Sequence, residues 1–343
     1  MNTLTAIRPN ILDLGQAANQ AAALAIFKLY QDRRPINTQR CQRAALAVFT
    51  TFLQTCGLMT TGNLYEDPTA WAGITFGLVI AFQRWMLQRG YSIKTINDRV
   101  SVLKVYLTMA NQAGVIPDGE ILRLQALKGF TSKEAIDTDA KRTKQGIATR
   151  CGAKKSAATQ ITEEQAGELC KVRNESPQAR RDALIMCLLL DHAMRVSEVA
   201  DLRIEDVDRT AKQINFYRRK TGKTSRHNLR GRAWRLLSEY LSKDVQSQSG
   251  PLILASCKTG ALIQKGMTTR AIAERVTQLG AALGIANLSP HDCRHAAATM
   301  AGSDPNVSLA GLMAFGGWAS ANVAVNYLNK GDAENDGVTL GMD

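Results

Sequence analysis

The sequence predicts a mostly α-helical protein of two domains: an all-helical amino-terminal domain and an α+β carboxy-terminal domain with a small antiparallel sheet. Three observations lead to this fold class. The length of 343 residues suits two domains, each large enough to bury its own core. Apolar residues recur at helical spacing along most of the chain. Strict alternation around a glycine turn occurs at one place, residues 213–229.

The amino-terminal domain, residues 1–130, is predicted to consist of helices. The clearest one begins at Ser92, a suitable N-cap, and ends at Gly114. Between them Ile96, Val100 and Leu103 continue a stripe of apolar residues at steps of four and three. Three further segments rich in Ala, Leu and Gln are predicted as helices: 16–33, 38–56 and 69–89.

Residues 131–160 are predicted to form a basic interdomain linker. They are polar, small or basic and show no apolar period, which is typical of an exposed segment. Residues 141–155 contain no acid and carry six cations: Lys141, Arg142, Lys144, Arg150, Lys154 and Lys155.

The carboxy-terminal domain, residues 161–343, begins with a helix signal. Thr162 and Gln165 match a capping box. Residues 213–217 alternate, Gly222 marks a turn, and residues 225–229 return antiparallel. Helices are predicted over 163–173, 178–194, 231–243 and 269–283.

The positive charge of the chain is concentrated. Lys and Arg number 43 against 30 Asp and Glu, a net charge of +13. A second tract without acids, residues 218–235, carries eight cations, so the two tracts together exceed the net charge. Concentrated cations favour a polyanionic partner, and nucleic acid is the leading candidate, with a solvated charged face as the alternative. In this second tract the candidate DNA contacts are Arg218, Arg219, Lys223 and Arg226.

Several classes of protein are disfavoured. The most apolar stretch, residues 72–82, is far shorter than the roughly 20 residues of a membrane-spanning helix, so no membrane partner is expected. The start has no pattern of a signal peptide, which predicts a cytoplasmic protein. The seven cysteines lack the close pairing of zinc sites, and no phosphate-binding Gly-x-x-x-x-Gly-Lys loop occurs, so no metal and no cofactor are predicted.

Two pairs of charged residues carry candidate chemistry. Ser289, Pro290 and Asp292 have the pattern of a helix start, which puts His291 and Arg294 one turn apart on one face. Upstream, Arg195 and Glu198 stand at i and i+3, which is equally the spacing of a surface ion pair. Each pair alone is as well explained by ordinary packing or solvation.

Near the carboxyl end, Gly316, Gly317 and Trp318 form a glycine turn followed by an aromatic residue. A short helix capped by Ser320 then carries Tyr327. A tyrosine in such a helix is usually explained by amphipathic packing.

The ordered set of these motifs resembles the tyrosine recombinase (phage integrase) family, and the terminal motifs resemble most the Cre group, where a Trp similarly stands at the place of a second His. The resemblance spans roughly residues 190–330. It implies that Tyr327 is the nucleophile, that Arg195 and Arg294 clamp the scissile phosphate, and that Lys220 is the general acid. His291 and Trp318 would complete the pocket, and Glu198 would be the supporting acid. Lys223 is the alternative to Lys220, because both sit at the hairpin turn.

The resemblance also implies the biological activity. The amino-terminal domain would be a SAM-like DNA-binding domain, and the carboxy-terminal domain would cleave and rejoin DNA at a specific recombination site. Four protomers would assemble on two duplexes, associated with the nucleoid. The polar and acidic segment after Tyr327 leaves open whether a carboxy-terminal helix is exchanged between protomers. Two alternatives remain: strand relaxation by a type IB topoisomerase, and a catalytically silent DNA-binding protein of recombinase descent.

Overall fold

The computed structural model describes residues 10–60, 62–150, 155, 157–257 and 259–328. The chain divides into two compact units, residues 1–154 and 155–343. The first unit is helical and the second combines helices with two small antiparallel sheets, which confirms the predicted fold class. None of the helices in the described ranges is long and apolar enough to cross a membrane.

The helices of the first unit surround one core. They are α1 (Ile11–Asp32), α2 (Ile36–Thr55), a short 3₁₀ helix (Pro68–Trp71), α3 (Phe76–Gln88), α4 (Ile93–Gln112), α5 (Asp118–Ala126) and α6 (Ser132–Lys144). Trp71 lies at the centre of the core, fully buried, and stacks on Phe49 and Tyr106 with ring centroids 6.2 Å and 6.0 Å apart. Each aromatic pair of this kind adds about 0.5–1.5 kcal/mol to the stability gained from burying apolar surface.

The predicted helix boundaries hold best where a cap is visible. Ser92 accepts a hydrogen bond from the Thr95 N–H and begins α4, as predicted. The helix predicted over 69–89 is wrong near its start, since Gly73 has a left-handed φ of 78° and Thr75 caps a new helix, α3. The glycine breaks the helix because it takes this conformation without steric cost.

The predicted linker contains a helix. α6 begins with a capping box, in which Thr131 and Glu134 satisfy each other's backbone N–H groups. Arg142, 4% exposed, then holds α6 in the first unit, because it donates to the Tyr91 carbonyl at 3.0 Å and pairs with Asp139. Residues 132–144 of the predicted linker therefore form a helix. The outer boundaries of the predicted domains stay predictions.

The second unit has the following elements: α7 (Glu163–Leu169), α8 (Pro177–Leu190), α9 (Val196–Asp201), a 3₁₀ turn (Ile204–Asp206), β1 (Val207–Asp208), β2 (Gln213–Arg218), β3 (Lys223–Asn228), α10 (Arg232–Lys243), β4 (Leu254–Ser256), β5 (Leu262–Gly266), α11 (Thr269–Ala281), α12 (Pro290–Ser303), α13 (Leu309–Gly316), α14 (Ala321–Ala324) and a 3₁₀ turn (Val325–Tyr327). The capping box of Thr162 and Gln165 is present, as predicted.

Helix α8 is the centre of the second unit. All its residues from Arg180 to Leu190 are buried, and α10 and α12 pack against it. Its buried charges are paired: Asp182 accepts from Arg181 at 2.8 Å and from Arg275 at 2.6 Å. A buried helix with satisfied charges gives the neighbouring elements a rigid support.

The predicted hairpin is confirmed. Strands β2 and β3 pair antiparallel, with Ile214 opposite His227 and Arg218 opposite Lys223, and β1 extends the sheet on the other side of β2. Gly222 lies in the turn with φ 65°, where a residue with a Cβ would be strained.

Candidate active site

Glu198 and Arg195 are held together by the start of α9. The Glu198 carboxylate accepts from the Arg195 backbone N–H at 2.8 Å and from its guanidinium at 2.7 Å. The carboxylate is buried, whereas 23% of the Arg195 side chain is exposed. The i, i+3 pair is therefore not a surface ion pair: the acid is anchored inside and one face of the guanidinium remains open.

Arg294 is almost completely buried in the first turn of α12. Ser289 caps that helix, Pro290 opens it and Asp292 completes the capping box, as the sequence predicts. The guanidinium donates to the carbonyls of Ala193 and Gly316. Ala193 is fully buried with φ 48°, a strained conformation for alanine that forms part of the turn between α8 and α9.

The site contains more positively charged than negatively charged side chains. Glu198 pairs with the guanidiniums of Arg195 and Arg218, and Arg294 shares the Gly316 carbonyl with Arg218. Burial first, and then repulsion by Arg195, lowers the pKa of Arg294 to about 10, so it stays charged at neutral pH. A set of arginines in excess of acid, partly removed from water, attracts a phosphodiester.

Tyr327 lies between two aromatic side chains. Its ring stacks on Trp318 at 5.1 Å with an interplanar angle of 17°, and meets the edge of His295 at 5.1 Å and 68°. The Arg294 guanidinium lies 5.3 Å from the centre of the Trp318 ring.

Two glycines make this arrangement possible. A Cβ on Gly302 would stand 2.0 Å from the Tyr327 carbonyl oxygen, so the tyrosine segment packs directly on the α12 backbone. Gly317 ends α13 in the left-handed conformation, φ 60° and ψ 45°, and turns the chain into Trp318.

Lys220 and His291 are exposed. Lys220 stands in the turn between β2 and β3 and has no hydrogen bond or ion pair to any residue that the structure describes. Lys223 is equally exposed at the first position of β3. Both lysines therefore remain candidates for the general acid.

A cleft opens beside these residues. It has a volume of approximately 1030 Å³ and lies between the hairpin and the α13 end, with Thr221, Lys223 and Arg226 on one side and Phe315 and Trp318 on the other. The hairpin turn and Trp318 thus line the same depression.

Two of the predicted DNA contacts in the tracts are buried and are corrected here. Arg142 is a structural residue of the first unit. Arg218 is 1% exposed and is bonded inside the second unit. Lys155 is bound to the buried Asp292. Exposed members remain candidates: Lys141, Lys144, Arg150, Arg219, Lys223 and Arg226. Lys154 lies outside the described residues.

Three contributors to the site were not predicted from the sequence: His295, Gly302 and the inward orientation of Arg218. A signal for the last was available. Ile214, Phe216 and Arg218 alternate with more exposed residues along β2, so the period of the strand puts all three on its buried face.

Among the described residues no cluster of three or more His, Cys, Asp or Glu side chains is arranged to hold a metal ion. The charge at the site comes from guanidiniums instead.

Comparisons with known proteins identify the family of the chain. Residues 159–334 match the model of the phage integrase family. The chain is 25% identical over 249 residues to the tyrosine recombinase XerC of Roseiflexus sp., covering 71% of this chain and 69% of the relative. It is 24% identical over 308 residues to the tyrosine recombinase slr0733 of Synechocystis sp., covering 88% and 84%.

Solved structures share the fold. The Tn1549 transposon integrase in complex with transposon right end DNA has a TM-score of 0.61 at 12% identity, covering 92% of this chain and 96% of that one. A lambda integrase dimer bound to a COC′ core site has a TM-score of 0.58 at 14% identity, covering 96% and 84%. The family match, which spans more than half of the sequence, shows that the chain belongs to the phage integrase family and is a tyrosine recombinase enzyme.

Proposed function

We propose that the protein is a site-specific DNA recombinase that cleaves and rejoins DNA strands through a covalent 3′-phosphotyrosine at Tyr327. The observation that carries this proposal is the position of the Tyr327 ring, stacked on Trp318 beside a buried arginine in a site with excess positive charge. DNA with a specific recombination site is the partner.

The arginines answer the main difficulty of the reaction. A phosphodiester is anionic and repels an attacking phenolate, and further charge develops on its non-bridging oxygens in the transition state. Arg195 and Arg294 bind those oxygens as planar donors and stabilise that charge. Because Glu198 and backbone carbonyls already orient both guanidiniums, little reorganisation is required at the moment of reaction.

Proton transfers complete the step. The Tyr327 oxygen bonds to phosphorus as the bond to the 5′ oxygen breaks, and that oxygen takes a proton from Lys220. The phenol, whose ordinary pKa is about 10, gives its proton to a histidine. Two histidines are candidates to accept it: His291, which the resemblance places in the pocket, and His295, which lies one turn further on α12 and contacts the tyrosine ring.

The covalent link explains rejoining without ATP. The free energy of the broken phosphodiester is kept in the phosphotyrosine, and a new 5′ hydroxyl attacks it in the reverse reaction. The guanidiniums supply the positive charge that divalent metals supply in other phosphoryl-transfer sites, so we expect activity without added metal. We further propose that four protomers act on two duplexes and that the enzyme works in the cytoplasm on the nucleoid.

In the test, detergent first traps the covalent protein–DNA adduct, and the DNA ends joined to the protein are sequenced. Two copies of the trapped sequence on one supercoiled plasmid should yield recombinant circles with the wild-type protein. Tyr327→Phe should bind the same DNA with unchanged affinity and yield neither adduct nor recombinants. Relaxed plasmid without recombinants would favour the topoisomerase alternative, and binding without any wild-type adduct would favour the silent DNA-binding protein.

A further inference from the structure

Arg218 is a buried arginine at the junction of three parts of the candidate active site. It is the last residue of β2 and is 1% exposed. Its guanidinium donates to the Ser225 hydroxyl on β3 at 2.7 Å and lies 3.4 Å from the Glu198 carboxylate. It also donates to the carbonyls of Phe315 and Gly316 at 2.9 Å and 3.2 Å. One side chain thus joins the hairpin, the acid of the clamp and the segment that precedes Trp318.

The site is built around this side chain. A Cβ on Gly317 would stand 2.5 Å from the Arg218 guanidinium, so α13 approaches it as closely as a glycine allows. The guanidinium also lies 4.7 Å from the centre of the Phe216 ring. Burying a guanidinium costs free energy, and its fork is satisfied here by neutral oxygens as well as by an acid. The burial is therefore a specific feature and not incidental packing.

The backbone of Arg218 forms the base of the turn that carries Lys220. Its carbonyl accepts from the N–H groups of Thr221 and Gly222 at 3.0 Å and 2.9 Å. Lys220 itself is exposed and has no partner among the described residues. The Lys220 side chain at the tip is therefore unpaired among the described residues, whereas the base of the turn is fixed two residues away.

We propose that Arg218 is a positioning residue that fixes the hairpin turn against the arginine clamp, so that Lys220 reaches the departing 5′ oxygen. This inference rests on the proposed function. Arg218 touches neither DNA nor the reacting atoms; it acts through Lys220.

Loss of Arg218 should affect the hairpin more than the clamp. The Gly316 carbonyl also accepts from Arg294, and Glu198 keeps its two bonds to Arg195, so both retain an anchor. Near the turn, the other ion pair is Arg219 with Asp201, whose side chains are 74% and 44% exposed. An exposed ion pair of this kind contributes little free energy to holding the turn in place. Among side-chain interactions, those of Arg218 therefore hold the turn against the clamp.

The experiment uses the duplex whose sequence is read from wild-type adducts, made with either oxygen or sulfur at the bridging 5′ position of the cleaved bond. A 5′ thiolate leaves without a proton, so cleavage of the sulfur duplex does not require a general acid. Covalent adduct is measured in single turnover for the wild type, Arg218→Met, Arg218→Lys and Lys220→Ala. Arg270→Met is the matched control, because it makes the same change on a side chain of α11 that is 88% exposed and lies outside the predicted DNA contacts.

Arg218→Met should lower cleavage of the oxygen duplex by at least about tenfold, a part of the contribution of a general acid. DNA affinity should stay within about twofold, and cleavage of the sulfur duplex within about threefold of wild type, as for Lys220→Ala. Arg218→Lys keeps the positive charge but loses the planar guanidinium. Its cleavage rate on the oxygen duplex should therefore lie between those of the wild type and Arg218→Met. Arg270→Met should behave as the wild type.

Equal loss on both duplexes would overturn the proposal, because Arg218 would then act on the clamp or on folding. Wild-type rates on both duplexes would also overturn it. If Arg218→Met does not fold, Ser225→Ala carries the same test, since it removes the hairpin partner of Arg218 and should show a smaller defect confined to the oxygen duplex. A wild-type protein that forms no adduct would instead contradict the proposed function.

Discussion

Acid should weaken the second unit through His227. The Arg218 guanidinium lies 3.3 Å from His227 Nε2, and because a guanidinium can only donate, that nitrogen must accept and the ring must be neutral. Burial, and then the charges of His192, Arg218 and Arg294, lower the pKa of His227 from 6.5 to about 3. The unfolded chain therefore binds a proton near pH 6.5, while the folded chain binds it only near pH 3.

The sign and the size of the effect follow from this difference. The contribution of His227 to stability is complete above pH 6.5 and is lost as the pH falls towards 3. The slope approaches about 1.4 kcal/mol per pH unit, which gives a loss of about 2 kcal/mol at pH 5. Other groups change the stability in the same pH range: the carboxylates, and His192, whose pKa is also lowered by burial. The effect of His227 must therefore be measured against a variant that lacks this histidine.

His227→Gln provides that comparison, because it keeps an acceptor for Arg218 but cannot titrate. Urea unfolding is followed through peroxide oxidation of Met186 and Met194, both fully buried in the second unit, so that the first unit does not contribute. Between pH 7.5 and 5 the wild type should lose about 2 kcal/mol more than the variant. The same pH dependence in both proteins would refute the assignment of a neutral, buried His227.

Three further predictions test the packing of the tyrosine segment and the basic tract of residues 141–155. Gly302→Ala should reduce adduct formation by roughly a hundredfold with DNA affinity unchanged, because the added methyl group displaces the Tyr327 backbone. Adduct is measured on a gel, and a wild-type rate would contradict the close packing of Tyr327 on Gly302. Arg142→Ala should lower the stability of the first unit by about 1–3 kcal/mol, since it leaves a buried carbonyl without its donor. Neutralising the exposed Lys141 and Lys144 should instead leave stability unchanged and reduce the salt slope of DNA binding by about 1.8; an unchanged slope would exclude both as phosphate contacts.

The parts of the fold that could be predicted from sequence are those with local signals. Ser92, Thr162 and Ser289 each cap a helix through a side chain three residues from its partner, so the sequence itself contains the interaction. The hairpin was likewise predictable, because Gly222 and the alternation on either side are local.

What could not be predicted depends on contacts between distant residues. α6 has few apolar residues and is fixed by Arg142 donating to Tyr91, 51 residues earlier. The buried role of Arg218 depends on carbonyls 97 and 98 residues away, although the alternation of β2 indicates its direction. The motifs predict candidate catalytic residues because each motif is local, whereas the ring contact of His295 with Tyr327 joins residues 32 apart and required the structure.

Mass spectrometry of the peptide that carries DNA after detergent trapping and nuclease digestion tests directly whether Tyr327 forms a 3′-phosphotyrosine. We expect a nucleotide joined through its 3′ phosphate to the Tyr327 oxygen. A nucleotide on another side chain, or one joined through its 5′ phosphate, would contradict it.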